Sequence, residues 1–329
     1  MVDRMLNRGA SPEEINGVAL MALEAPLPRG YVAARVAERE QQAAVKAALP
    51  PGITQRTPEW YAAREGFVTA SDFHTAAFGT DAAKARFVKS KSGAGSPFGG
   101  SAATRWGVKY EDWARLLYEH YMCTKVREYG LIPHPTVDIM AASPDGISDQ
   151  GVAVEIKVPY SKTLADIPVE YYAQMQGQME VCGLKLADFV VCKAEELDEG
   201  EFWPRFEEAY SIGYGSEKFG AIASKAGPDG TLSFSHSSPG MSPPELRAFV
   251  DAHAEEYDDV SLHWTPDLSI RRIPRDDAYV SKMIEELRRT WELVLKARAE
   301  PQPASQARAE KQSFASPVLR GFAFKNFSC

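Results

Sequence analysis

Two short runs, Ala142-Ser143-Pro144-Asp145-Gly146 and Val154-Glu155-Ile156-Lys157, constrain the fold more than any other part of the chain. They read as two strands of a hairpin joined by a short turn. The first ends in Pro-Asp, and the second carries a glutamate and a lysine two residues apart. Alternate residues of a strand share a face, so Glu155 and Lys157 project together. The end of the facing strand brings Asp145 beside them. Val152, Val154 and Val158 flank the pair and mark a partly buried strand. Charge in such a strand is costly unless it is paired or used.

The rest of the chain arranges helices around strands of this kind. Residues 1–50 read as a peripheral helical arm. Ser11-Pro12-Glu13-Glu14 fits a capping box, and Pro50-Pro51-Gly52 ends the arm. Thr57-Pro58-Glu59 caps a short helix carrying Trp60 and Arg64, and Ser71 reads as the N-cap of the next. Residues 80–104 look loop-like because Gly93, Gly95, Gly99 and Gly100 cluster there. Tyr110, Trp113, Ala114, Leu117 and Tyr121 recur at helical spacing and predict a helix over 106–122. Strands are expected at 126–132, 138–143 and 152–158. A helix then runs from Pro168 to Gly183, followed by a buried strand at 189–192. The glycine-rich region 200–258 reads as an irregular insertion before strands at 260–264 and 268–273. Residues 278–298 carry a final amphipathic helix. From 299 to 329 the composition shifts to that of a flexible tail. Strands interleaved with helices in this order give an α/β (α+β) fold, a mixed central sheet flanked by helices. The arm would be residues 1–50, the main domain 51–298 with its insertion at about 200–258, and the tail 299–329.

Two carboxylates and an ammonium converging on one spot suit a Mg²⁺-assisted hydrolysis of a phosphodiester. Asp145 and Glu155 offer hard oxygen ligands, and the backbone carbonyl of Ile156 can add another. Lys157 cannot bind a cation; it would orient water and offset charge on phosphorus. An isolated Glu-x-Lys is more often an incidental surface alternation, but Pro-Asp ahead of it and the buried setting weigh against that here. Glu111, beside the apolar stripe of its helix, can swing over the same site, although taken alone it reads as a solvated carboxylate. Gln174 and Gln178 share a helix face and can hold water or a phosphate oxygen without competing for metal. Arg64 near Ser71 suggests a phosphate pocket, against the plainer reading of a cap and a surface arginine. No acidic residue falls between Lys84 and Tyr110, whereas Lys84, Arg86, Lys89, Lys91, Arg105 and Lys109 do. This run would meet backbone phosphates, and the formal net charge of -8 does not forbid such a local groove. The four cysteines stand singly, so zinc and iron–sulfur sites are poorly supported. No signal pattern or membrane-length apolar run is present, and the reading is an intracellular, reduced protein.

Five segments, Trp60–Ser71, Trp106–Glu111, Ser143–Gly146, Val154–Pro159 and Tyr172–Gln176, together resemble the lambda exonuclease, or YqaJ-like viral recombinase, family of the PD-(D/E)xK nuclease superfamily. They occur in the family's order and at similar separations, over about residues 57–195. The resemblance implies a restriction-endonuclease-like core. It implies two Mg²⁺ ions, replaceable by Mn²⁺, held by Glu111, Asp145, Glu155 and the Ile156 carbonyl. Lys157 and Gln174 would position the attacking water. Arg64 and Ser71, with Lys109 nearby, would grip DNA phosphate at a 5′ end. The implied activity is 5′ to 3′ digestion of one strand of linear duplex DNA, leaving 3′ single strands for recombination by strand annealing. Implied partners are double-stranded DNA ends, a single-strand annealing or single-strand-binding protein, and further copies of the chain in a trimeric ring. The compartment would be the cytoplasm of a bacterial host if the chain is phage-encoded. Competing readings are a structure-specific endonuclease on the same core and a non-catalytic DNA-end-binding adaptor. The phenylalanine-rich tail, from Phe314 to Phe327, reads as a disordered end before it reads as a docking motif.

Overall fold

The computed structural model describes residues 1–23, 27–28, 30–94, 101–161, 164–228 and 231–300. The expected flexible tail lies outside them, as do Gly95, Gly99 and Gly100 of the expected loop. The N-terminal arm is helical: α1 (Val2–Asn7), α2 (Pro12–Leu23) and α3 (Tyr31–Ala47). Ser11 and Glu14 close the expected capping box, each side chain taking the other's backbone N–H. Thr57 caps α4 (Pro58–Arg64) by accepting from the Trp60 amide. β1 (Val68–Thr69) and α5 (Phe73–Phe78) follow. Ser71 lies in a single tight turn ahead of α5 and caps nothing, which corrects its expected N-cap role.

The stretch expected to be a loop over 80–104 is largely helical. Thr80 caps α6 (Asp81–Lys89) through its side chain, and α7 (Ala102–Met122) starts on Ser101. Ala82, Ala83 and Lys84 favour helix, and the glycines begin only after α6 has ended. β2 (Val126–Arg127), β3 (Ile132–Pro133), β4 (Met140–Ala142), β5 (Gly146–Ser148) and β6 (Ala153–Lys157) come next. The hairpin differs from the expected one. The strand before Pro-Asp is β4, which pairs with β1 and β3 in a separate three-stranded sheet. The antiparallel partner of β6 is β5, which starts immediately after Asp145. The Pro-Asp turn therefore carries the chain from one sheet to the other.

α8 (Val169–Cys182) connects β6 to the parallel strand β7 (Leu186–Leu197), as a crossover between parallel strands requires. Gly183 terminates α8 at φ 66°, in the left-handed region that suits glycine. The supposedly irregular 200–258 region contains α9 (Glu199–Ser211), β8 (Phe219–Ala226), β9 (Leu232–His236) and α10 (Pro243–Ala254). Its strands extend the main sheet. The two strands expected near 260–273 are one strand, β10 (Asp259–Pro274), with a register shift between Trp264 and Asp267. α11 (Asp277–Ala299) ends the described chain.

The main sheet runs β2-β5-β6-β7-β10-β8-β9. It is mixed, since β6 and β7 are parallel while the other neighbours are antiparallel. Helices cover both faces. Ala153, Ala187, Phe189 and Val191 share a core with residues of α5, α8 and α11. Val154, Ile156, Val190 and Cys192 pack under Tyr110, Trp113, Leu117 and Tyr118 of α7. A mixed central sheet between helices is the fold class the sequence indicated. Among the described residues no helix is long and apolar enough to cross a membrane.

Candidate active site

The alternation of β6 decides where its charges go. Val154 and Ile156 face α7, which leaves Glu155 and Lys157 on the α8 side. Glu155 is fully buried. Its Oε1 accepts from the Lys157 ammonium, and its Oε2 accepts from Gln178 Nε2 at 2.7 Å. Asp145 Oδ2 accepts from the backbone N–H of Ile156 at 2.7 Å. The aspartate is thus anchored to the strand that carries the other two groups, across the β5–β6 turn. Lys157 lies 4.9 Å from the ring centre of Tyr171, on the first turn of α8.

Gln178 is the glutamine that touches Glu155. Gln174 lies one helical turn earlier on the same face, between Tyr171 and Gln178, and is half-buried. The i,i+4 spacing shows in the sequence; which turn of α8 meets the acid depends on how the helix seats on the sheet. Gly177 sets that seat. A Cβ there would stand 2.0 Å from the ring of Phe73, so only glycine lets α8 lie this close to α5.

Glu111 projects from α7 at the edge of the site. Both its oxygens accept from Arg56 Nη2, at 3.0 and 2.9 Å. Burial and then the charge of Asp145 push the Glu111 carboxyl up, against the pull of Arg56 and Lys157. Glu155 is raised the same way, to about 7, by burial and then Asp145, with Lys157 and Gln178 opposing. Burial works against the Lys157 charge, yet Glu155 and Asp145 outweigh it and raise its pKa. Asp145 and Lys157 thus act on both glutamates. Among the described residues no three His, Cys, Asp or Glu side chains are gathered closely enough to enclose an ion. Lys157 and Arg56 balance the acids instead. The donors are carboxylate and carbonyl oxygens, the set that hard divalent cations prefer, so the chemistry of the site fits Mg²⁺.

The expected phosphate pocket is brought together next to it. Arg64 stacks on Trp60, its guanidinium carbon 4.2 Å from the ring centre, and donates to Ser71 Oγ at 3.3 Å. Burial lowers the Arg64 pKa. Lys91, missed in the sequence as a pocket residue, is buried and donates to the Arg64 carbonyl at 2.8 Å. The basic run is not one groove. Lys91 sits under Arg64, Lys84 faces Glu286 at 4.0 Å, and Lys109 pairs with Glu196 at 2.6 Å. Tyr110 donates to the same Glu196 oxygen, so Lys109 is paired within the protein. Gln55 and Trp60 also serve the site unannounced by any motif. Gln55 Nε2 donates to the Pro144 carbonyl at 3.1 Å and Trp60 Nε1 to Ser143 Oγ at 3.0 Å.

Residues 59–185 match the YqaJ-like viral recombinase domain. A curated relative, uncharacterized protein R354 of Acanthamoeba polyphaga mimivirus, is 32% identical over 172 residues, which is 46% of this chain and 31% of that protein. The chain thus spans about a third of that relative's length. Among solved structures, the chain is similar to an alkaline exonuclease (LHK-Exo) from Laribacter hongkongensis, with 22% identity and a TM-score of 0.46 over 78% of this chain and 99% of that one. It is also similar to a phage-related exonuclease from Haemophilus somnus 129PT, with 14% identity and a TM-score of 0.42 over 70% of this chain and 94% of that one.

Proposed function

We propose that this protein, whose residues 59–185 match the YqaJ-like viral recombinase domain, is a Mg²⁺-dependent DNA nuclease that digests linear duplex DNA from its 5′ ends. The observation that carries the reading is the convergence of Asp145, Glu155 and Lys157 on the β5–β6 hairpin, with Glu111 near enough for the charge of the same aspartate to raise its pKa. Glu111, Asp145, Glu155 and the Ile156 carbonyl would hold the divalent ions, two in the fullest form, whose charge lowers the pKa of water and offsets the charge of the departing oxygen.

The side chains divide the remaining work. Lys157 orients water and balances charge at phosphorus. Gln178 fixes the rotamer of Glu155 through a neutral amide that does not compete for cations. Gln174, on the same helix face, is placed to hold the attacking water. Arg64 and Ser71 offer a donor pair for the 5′-terminal phosphate, with Lys91 beneath adding positive charge. The 3′ single strands left behind are the substrate of strand annealing, so an annealing or single-strand-binding protein is the fitting partner, and a ring of subunits would keep the enzyme on its strand.

The test is digestion of linear and closed-circular plasmid with Mg²⁺ by wild type and by Lys157→Ala. The expected outcome is loss of linear duplex with wild type, an intact circle, and no digestion by the variant. Wild-type rates in Lys157→Ala remove this site from the chemistry, and nicking of the circle replaces exonuclease with endonuclease.

A further inference from the structure

Arg56 lies just outside the matched domain, and its backbone is unusual. It sits at φ 64°, in the left-handed region that non-glycine residues seldom adopt. Such conformations persist only where the surroundings hold them. Here the neighbouring residue does so, because Gln55 is tied to the carbonyls of Tyr129 and Pro144. The loop is thereby fastened to the turn that presents Asp145. From that position Arg56 reaches both oxygens of Glu111. The Arg56 side chain remains 48% exposed while it does so. It stands at the mouth of the site, on the one carboxylate of the set that is not held by the β5–β6 hairpin.

We propose that Arg56 is a positioning residue that holds Glu111 in the cation-free protein, gives that carboxylate up when a divalent ion enters, and is then free to bind a DNA phosphate at the same mouth. The inference rests on the metal-dependent reading above and deepens it. A guanidinium and a divalent ion cannot both claim the same two oxygens. The exchange would therefore link cation loading to the appearance of a new phosphate donor at the entrance. The backbone conformation supplies a clean variant, since glycine suits φ 64° and Arg56→Gly removes the side chain without straining the loop.

The measurements are calorimetric titration of DNA-free protein with Mn²⁺, and duplex-end affinity against salt with Ca²⁺ in place of Mg²⁺. Loss of a half-exposed ion pair should tighten Mn²⁺ binding by Arg56→Gly about twofold to fivefold. The same variant should bind duplex ends more weakly, with a salt slope lower by about one phosphate contact. Arg56→Lys, which keeps the charge, should restore most of the DNA affinity. Equal or weaker Mn²⁺ binding by Arg56→Gly overturns the exchange, and so does an unchanged salt slope. A wild type that binds and uses Mn²⁺ normally beside such a variant loses only the role of Arg56. A wild type that takes up no Mn²⁺ overturns the metal reading together with it.

Discussion

At the scale of single residues, the buried Glu155 is the most exacting feature. It has no access to water, and its two oxygens are satisfied by Lys157 and Gln178 alone. Removing the Gln178 amide leaves one oxygen of a buried acid without a donor, which costs about 1–3 kcal/mol. Gln178→Ala should therefore lower the urea midpoint clearly, whereas Gln174→Ala should leave it almost unchanged; two equilibrium unfolding curves compare them. The sequence made Glu155 and Lys157 legible as a same-face pair because strand alternation is a local rule, whereas Asp145 joins them through the Ile156 amide and not through the strand pairing expected for it. It also showed that Gln174 and Gln178 share a face. It did not show which of them meets Glu155, since the seating of a helix depends on residues a hundred positions apart, such as Phe73 and Gly177. The pairing of Lys109 with Glu196 was hidden for the same reason: the partner lies on β7.

At the scale of elements, α8 is the piece that sets the site. Its glycine meets Phe73 at a distance no Cβ can share. Gly177→Ala gains helix propensity of about 1 kcal/mol but crowds a close-packed core at a cost of about 1–3 kcal/mol. The variant should melt lower than wild type, and Phe73→Leu in the same chain should recover part of the loss, as a double-mutant cycle would measure. Elements with strong punctuation were readable: the Thr57 cap, the Gly183 stop and the long stripes of α7 and α11. Two were not. α6 was obscured by glycines that follow it, and the strands of 200–258 by glycines in the connections on either side of them, at Gly213, Gly215 and Gly240. Counting glycines over a window cannot tell a turn from an element beside it. The strand ahead of Pro-Asp was assigned to the wrong sheet because a three-residue connection such as Ser143-Pro144-Asp145 can close a hairpin or change sheets, and the local sequence is the same for both.

At the scale of the molecule, the raised carboxyl of Glu155 makes stability depend on pH. In the folded state it keeps its proton up to about 7, above the 4.5 of a free glutamate. Between those values the folded chain binds more protons than the unfolded one, so stability falls as pH rises. Cation-free protein should melt lower at about pH 8 than at about pH 5, and Glu155→Gln should flatten that dependence. Added Mg²⁺ should raise the melting temperature more at the higher pH, because only the ionised acids bind it; scanning calorimetry with and without chelator measures all three. The chain carries a formal charge of -8, yet single cations stand at the candidate site: Lys91 under Arg64, and Arg56 on Glu111.

One feature on the far side of the sheet bears on how the protein is made. Asp188 of β7 is sealed from water. Arg272 of β10 grips both its oxygens at 2.8 Å, and Tyr118 donates to one of them at 2.7 Å. Arg272 also meets Asp3, which Arg35 holds at 2.9 Å. An enclosed anion without its counter-charge is strongly destabilising. On the ribosome, β7 emerges 84 residues before its compensating arginine. The sheet cannot close over Asp188 until that later strand has been synthesised, and the first helix then docks onto the finished seam. Nascent chains cut short before residue 272 should therefore stay unfolded around this strand, and the candidate site gains its finished sheet only after β10 has been made.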